Sequence, residues 1–239
     1  MGKGASLGNT TGTDNTACGR NSLTNNTTGS RNTSLGANAM SANTEGHNNT
    51  AVGYLALSAD TTGHSNTAVG RSALSDVTTG GQNTAVGMYA GDNITTGANV
   101  SCFGYNAEPS TATTNNEIIL GNANVGAVRC GPGGVTTLSD GRDKTDVVDI
   151  PDGLDFVDSL RPVKFKWQTR EGVPTKDGTI RAGFIAQDIQ AAQEGKEYLD
   201  LVYSENPEKL EVTHIKLLPV MVKAIQELSA EVKKLKNGS

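Results

Sequence analysis

The chain has 239 residues, of which 35% are hydrophobic, 4% aromatic and 19% charged, with 29 glycines and a formal net charge of −5. So few aromatic side chains cannot fill one large conventional core, and the mild acidity argues against a nucleic-acid or anionic-membrane binder. No apolar run reaches the roughly 18–20 residues that span a bilayer, and the N-terminus lacks the basic-then-apolar pattern of a signal peptide.

Charge is distributed unevenly along the chain. Residues 1–138 carry 5 Lys or Arg and 7 Asp or Glu, whereas residues 139–239 carry 15 and 18. This change predicts two regions of different construction that meet near residue 138. The three cysteines, Cys18, Cys102 and Cys130, lack the paired spacing of a zinc site or a disulfide framework, so we expect no metal and no other cofactor.

A 17-residue period dominates residues 12–113, and its best-preserved phrase is NTAVG, at 49–53, 66–70 and 83–87. Strict spacing with corner glycines predicts a β-solenoid or β-roll, in which equivalent residues of successive coils stack about 4.8 Å apart. Asn and Thr ladders should satisfy polar groups between coils, and an apolar and a small-residue column should fill a thin interior. The apolar column is Cys18, Leu35, Val52, Val69, Val86 and Phe103; the small one is Ser22, Ala39, Ala56, Ala73, Ala90 and Ala107.

The repeat resembles those of viral tail-fibre proteins and of the head domains of trimeric adhesins. That resemblance implies coils that pack as trimers. A thin roll also buries little apolar area per residue, so we expect a homo-oligomer. We assign residues 1–113 to the solenoid and 114–138 to a β connector, where EIIL at 117–120 indicates a further strand.

Residues 139–239 have the composition of a mixed α/β domain. In chain order we predict a short helix at 154–160, a strand at 163–167, a strand leading into a helix within 179–193, and a short strand at 198–203. A long helix follows within EVTHIKLLPVMVKAIQELSAEVKKLK at 211–236. Pro219 either kinks it or lies in its first turn, with the start near Leu218.

The C-terminal helix carries a heptad seam, which predicts coiled-coil oligomerisation. Packing of this face onto its own domain is the alternative. Ile or Val at position a with Leu at d favours two strands, whereas the repeat implies three, and the heptad alone does not decide between them. The seam residues are Leu218, Met221, Ile225, Leu228, Val232 and Leu235.

The boundary between the two regions carries SDGRDK at 139–144. A serine hydroxyl becomes a good nucleophile when a base removes its proton, and a lysine can be that base when its surroundings favour the neutral amine. Ser139 and Lys144 could therefore act on the adjoining Leu138–Ser139 bond, which is already tethered to them. By spacing alone, two polar residues in a loop remain the commoner explanation.

Four motifs in order resemble the C-terminal intramolecular chaperone of phage tail spikes and fibres, the endosialidase type. They are SDGRDK at 139–144, RPVKFKW at 161–167, GFIAQD at 183–188 and IKLLPVMVKAIQELSAEV at 215–232. The resemblance implies a domain at 139–239 that trimerises, assists folding of the preceding fibre and then cuts itself off. It assigns Ser139 as nucleophile and Lys144 as base, places the cut between Leu138 and Ser139, and gives Asp140 and Arg142 a supporting role. Alternatively, Asp140 is only an N-cap or an ion-pair partner of Arg142.

One residue departs from the family pattern, which commonly has an apolar residue where this chain has Asp143. A carboxylate beside Lys144 favours the ammonium form, so cleavage should be slow or partial.

We therefore expect a homotrimeric tail-fibre fragment of a virion, made in the host cytoplasm, that is a self-cleaving serine endopeptidase. Two alternatives remain: the same chaperone without cleavage, and a bacterial surface adhesin with a ligand-binding solenoid. The neighbourhood of Tyr54, Tyr89 and Tyr105 interrupts the repeat and is the candidate contact with a host cell-surface receptor.

Overall fold

The computed structural model describes residues 2–125, 128, 139–166, 178–204, 206, 207 and 210–237. The chain divides into two compact units, Met1–Val128 and Arg129–Ser239. Among the described residues, no helix combines the length and the apolar character that a membrane span needs.

The first unit is a β-solenoid, as predicted. Each coil contributes one three-residue strand, and each strand pairs in parallel with the strand one coil later. The register is 17 residues throughout, from Thr16 opposite Thr33 to Ser101 opposite Ile118. The strands are β1 Thr16–Cys18, β2 Thr33–Leu35, β3 Thr50–Val52, β4 Thr67–Val69, β5 Thr84–Val86, β6 Ser101–Phe103 and β7 Ile118–Leu120. Strand β7 extends the sheet one coil beyond the clear sequence repeat.

The interior of the solenoid is filled partly by columns other than the predicted ones, such as the buried Met40, Leu57 and Leu74. The alanine column from Ala39 to Ala107 is fully buried, as expected, together with the middle residue of most strands, such as Ala51 and Ala68. The prediction for the apolar column is wrong: Val86 is 41% exposed. In a three-residue strand the first and third side chains face the same way, so burying the middle residue turns the third outward. We call the resulting exposed stripe the outer ladder: Cys18, Leu35, Val52, Val69, Val86, Phe103 and Leu120.

Buried asparagines connect the coils, as predicted. The side-chain amide of Asn49 donates to the carbonyl of Gly63 at 2.8 Å, and its Oδ1 accepts the backbone N–H of Asn66 at 2.8 Å. Asn32, Asn66 and Asn83 make the same two bonds. Each amide thereby satisfies backbone groups that a buried corner would otherwise leave without partners.

The two glycine series have different physical causes. Gly53 has φ +144°, in the region that disfavours side chains, and a Cβ there would lie 2.3 Å from the carbonyl oxygen of Gly70. Gly46 belongs to the other series and needs no positive φ, but a Cβ on it would lie 2.5 Å from the carbonyl oxygen of Gly63. The close stacking of coils excludes side chains from both columns.

In the residues that the structure describes, the second unit contains three α-helices and two antiparallel strand pairs. Strand β8 pairs with β9, and β10 pairs with β11. The elements are α1 Leu154–Ser159, β8 Val163–Phe165, β9 Arg181–Gly183, α2 Ala186–Ala192, β10 Val202–Tyr203, β11 Glu211–Val212 and α3 Leu217–Asn237. The predicted short helix, the strand at 163–167 (of which Trp167 lies outside the described residues) and the strand-to-helix segment are confirmed.

Two predicted boundaries in this unit need correction. The strand predicted at 198–203 is a 3₁₀ turn over Glu197–Leu199 followed by the shorter β10. The long helix predicted within 211–236 does not include its first residues, because Glu211–Val212 form β11. That helix begins at Leu217, so Pro219 lies in its first turn, where a missing N–H costs little.

The long helix α3 uses one face inside its own unit. Leu217, Val220 and Ala224 are buried there, and Glu227 accepts the backbone N–H of Leu154 at 2.7 Å, which caps the start of α1. The heptad seam lies on the exposed side, from Leu218 at 56% exposure to Leu235 at 75%. Packing onto its own unit therefore does not account for the seam.

A Gly53→Ala variant tests the stacking constraint. We expect the free energy of unfolding to fall by about 2–4 kcal/mol, because the added Cβ meets backbone and the left-handed φ is strained. Gly81→Ala is the matched control. A Cβ on Gly81 would lie 3.0 Å from the His64 carbonyl oxygen and close to the His64 ring, and the same column holds Ala98 one coil later. We expect this variant to lose less than about 1 kcal/mol of the free energy of unfolding. Thermal unfolding followed by circular dichroism compares the two, and equal losses would contradict the stacking explanation.

Candidate active site

The predicted nucleophile and base lie together in a single turn at the start of the second unit. The Asp140 side chain accepts the backbone N–H of Arg142 at 2.9 Å and caps a 3₁₀ turn over Gly141–Asp143. The backbone N–H of Lys144 closes this turn on the carbonyl of Gly141 at 3.3 Å. The lysine side chain then reaches back, and its Nζ donates to Ser139 Oγ at 2.6 Å and to the Ser139 carbonyl at 3.4 Å.

The supporting residues form an ion pair of their own. Arg142 Nε lies 3.1 Å from both carboxylate oxygens of Asp140, and Nη2 lies 2.5 Å from Oδ2. The hydrogen bonds from the arginine side chain, and then from its backbone N–H, lower the pKa of Asp140, while the carboxylate raises the pKa of Arg142. Arg142 thus holds Asp140 as an anion.

The turn is open to solvent in the single chain. Ser139, Asp140, Asp143 and Lys144 are all exposed, and within the described residues no ion pair joins Asp143 to Lys144. Leu138, which would carry the scissile carbonyl, lies outside the described residues. The arrangement can hold a serine hydroxyl and a lysine amine in hydrogen-bond contact, which is the first geometric requirement for proton transfer between them.

In the described part of the chain, no group of three or more His, Cys, Asp or Glu side chains is placed to bind a metal ion. His47 and His64 stack with ring centroids 5.4 Å apart on adjoining coils, but two imidazoles alone do not complete a metal site.

Two other motifs of the second unit are joined by an ion pair. Arg161 of the RPVKFKW motif donates through Nε at 3.0 Å and Nη2 at 2.7 Å to one oxygen of Asp188, in the GFIAQD motif. This pair joins the segment before β8 to the first turn of α2. The contact between Glu227 and Leu154 spans 73 residues and has no local sequence signal, which is why it escaped sequence reasoning.

Part of this unit matches a known protein family. Residues 139–198 match the Peptidase_S74 family, described as the chaperone of endosialidase. No curated protein and no solved structure matches the chain. The matched segment starts at Ser139, the first residue of the turn that brings serine and lysine together.

Residues 139–198 thus resemble a chaperone domain of the endosialidase type, and they follow a β-solenoid. The resemblance predicted from the sequence motifs is confirmed over this segment. The match supports a chaperone role of the tail-fibre type.

Proposed function

We propose that the chain is the C-terminal part of a viral tail fibre whose domain at 139–239 trimerises, assists folding of the solenoid, and then releases itself by cutting between Leu138 and Ser139. The observation that carries the cleavage proposal is the 2.6 Å contact between Lys144 Nζ and Ser139 Oγ at the first residue of the family match.

The proposed reaction begins when neutral Lys144 takes the proton of the Ser139 hydroxyl as Oγ attacks the Leu138 carbonyl carbon. The C–N bond to Ser139 then breaks, and the lysine returns its proton to the departing nitrogen. This leaves an ester between the Leu138 carbonyl and Ser139 Oγ, with a free α-amine. Water hydrolyses the ester, giving a carboxylate on Leu138 and restoring the serine hydroxyl. Nucleophile and substrate are adjacent in the chain, so little entropy is lost in bringing them together.

Association of copies would remove the exposed turn of Ser139 and Lys144 from water. A lysine acts as a base only when neutral, and removal from water favours that form. Ser139 and Lys144 are both exposed in the single chain. A neighbouring copy that covers the turn would promote cleavage, so the cut would follow assembly.

Two exposed apolar stripes support association of copies. One is the heptad seam of α3, where Ile225 is 63% and Leu228 49% exposed. The other is the outer ladder, which presents an apolar side chain on every coil, including Phe103 at 40% exposure. Contiguous apolar surface of this kind marks interaction sites, and regular spacing suits a parallel copy with the same spacing.

The folding task explains why such a fibre would carry a chaperone. The coils pair in parallel at 17-residue spacing within the chain. Copies that pack side by side must therefore find one register among several, which is entropically slow. A C-terminal domain that associates first would align the chains before they wind. Its removal would leave a fibre that cannot readily refold once unwound, so its stability becomes kinetic.

Self-cleavage is tested by intact mass of the purified chain. We expect the wild type to yield two fragments divided after Leu138, whereas Ser139→Ala and Lys144→Ala stay whole because nucleophile or base is missing. Asp143→Ala should cleave about two- to fivefold faster, the size of an exposed charge effect. A single full-length mass for every variant would reject the protease and leave the non-cleaving chaperone.

Trimerisation is tested by sedimentation equilibrium on the uncleaved Lys144→Ala chain. We expect three copies, and a shift to lower mass for Ile225→Asp, because a carboxylate would be buried in the seam. Gln226→Asp adds the same charge next to the seam and should keep the full mass. A monomer at every concentration, or equal effects of both variants, would argue against association through the seam.

A second candidate function, receptor binding by the solenoid, rests on an aromatic cluster. The Arg71 guanidinium lies 5.4 Å from the Tyr89 ring centroid and 6.0 Å from that of Tyr54, and Tyr89 meets Tyr105 edge-on at 6.4 Å. Tyr54 is 46% and Tyr105 56% exposed. Flat rings beside a cation suit a saccharide that carries a carboxylate.

An array of acidic and neutral oligosaccharides tests this surface. We expect retention on acidic members, reduced at least about tenfold by Arg71→Gln through loss of a charge-assisted contact. Arg20→Gln is the matched control, since Arg20 occupies the same column three coils earlier without the tyrosines. Lack of binding to any member, or equal loss in both variants, would remove the receptor candidate.

A further inference from the structure

A second column of polar side chains runs through the interior of the solenoid. It begins with Asn9, Asn26 and Asn43, and Asp60 takes the next place, one coil later. Asn26, Asn43 and Asp60 are fully buried. The column then turns apolar at Val77, which is also buried. A carboxyl group thus ends a series of amides in the same environment.

The amides of this column bond in one direction. The side-chain N–H of Asn26 donates to Oδ1 of Asn9 at 2.7 Å, and that of Asn43 donates to Oδ1 of Asn26 at 2.7 Å. Each amide gives its other hydrogen to the glycine carbonyl three residues later, at 2.9 Å for Gly29 and 3.2 Å for Gly46. Every member therefore needs a donor from the following coil to satisfy its own oxygen.

Asp60 has no amide with which to continue the series. Its Oδ1 accepts the backbone N–H of Gly63 at 2.8 Å, and its Oδ2 lies 3.4 Å from the amide nitrogen of Asn49. Oδ1 of Asn43 is left buried, with no hydrogen-bond partner in the described structure. An unpartnered buried acceptor is costly, and the residue that would supply its donor by the pattern of the column is Asp60.

The surroundings of Asp60 oppose a negative charge. Burial raises the pKa of this carboxyl to about 7, despite the opposing effect of the Gly63 N–H. The groups that contact it, Asn49 and Gly63, are neutral. The ionisable side chains closest in sequence to Asn43, Asp60 and Val77 are exposed, and none forms an ion pair or hydrogen bond with Asp60 in the described solenoid. They are Glu45, His47, His64 and Asp76.

We propose that Asp60 is a proton-binding site inside the solenoid, where its protonated carboxyl donates an O–H hydrogen bond to Oδ1 of Asn43 and completes the side-chain series. The proton replaces the amide hydrogen that an asparagine would provide. When the proton leaves to water, a buried anion faces an acceptor, and both groups lose a favourable partner.

The direction of the pH effect follows from the raised pKa. The folded chain holds the proton more tightly than the unfolded chain, whose aspartate titrates near 3.8. The stability that this proton contributes is fully present below that value and is lost as the pH rises through about 7. Above that pH the loss is complete, so the solenoid should be less stable in mildly alkaline than in mildly acidic solution.

The proposal is tested on the full-length chain with Asp60→Asn, which restores an amide to the column. We expect the wild-type unfolding temperature of the solenoid to fall between pH 5 and pH 8, and this fall to be absent or much smaller in the variant. Asp14→Asn is the matched control: Asp14 is exposed, its column holds Asn48 and Asn99, and the variant should keep the wild-type pH dependence. Carbon-13 spectra of aspartate-labelled wild type give a second readout, in which one carboxyl should titrate near neutrality and disappear in Asp60→Asn.

Two results would overturn the proposal. One is a wild-type spectrum in which every aspartate carboxyl titrates near its ordinary value, because the site would then hold no proton at neutral pH. The other is an unchanged pH dependence of unfolding in Asp60→Asn. Because the spectrum is recorded on the wild type, a failure of the variant to fold would not leave the proposal undecided.

Discussion

The solenoid depends on the stacking of each 17-residue coil directly on the next. Glycine columns are required because a Cβ at Gly46 or Gly53 would collide with the backbone of the following coil. The same stacking brings Asn49 within reach of Gly63 and Asn66, so polar groups are satisfied between coils and not within them. The stacking also repeats the interior from coil to coil, with alanines such as Ala56 in some columns and larger side chains such as Leu57 in another.

The 17-residue period predicted the solenoid well, because each coil imposes the same steric constraint and the same residue type therefore recurs at the same position. The direction of the outer ladder was not predictable in the same way, since Val69 and Val86 have the composition of core residues and only the strand geometry turns them outward. In the second unit, the motifs located the turn at Ser139 and Lys144. Their contact depends on the Asp140 cap, a local signal that could have been read from the sequence, whereas the capping of α1 by Glu227 depends on tertiary folding.

The two units show opposite relations between polar groups and water. In the solenoid, polar side chains such as Asn43 are buried in columns of hydrogen-bonded amides. Asp60 has a carboxyl oxygen where an asparagine would have an amide N–H, so the buried Oδ1 of Asn43 has no hydrogen-bond partner in the described structure. Around Ser139 the polar groups are exposed, and their geometry comes from a three-residue turn and one ion pair. The solenoid is therefore a regular stack of coils. The reactivity of Ser139 and Lys144, in contrast, depends on the surface that covers the turn.

The two faces of α3 have a consequence for quality control. Its inner face is held by Leu217 and Val220, and Glu227 on the same helix closes the first turn of α1. The exposed seam lies on the same 21-residue rod, so its side chains are aligned by the packing of the inner face. A chain whose domain is misfolded would offer a frayed or misaligned seam. Any partner that recognises the seam therefore discriminates, without a separate sensor, between finished and unfinished subunits.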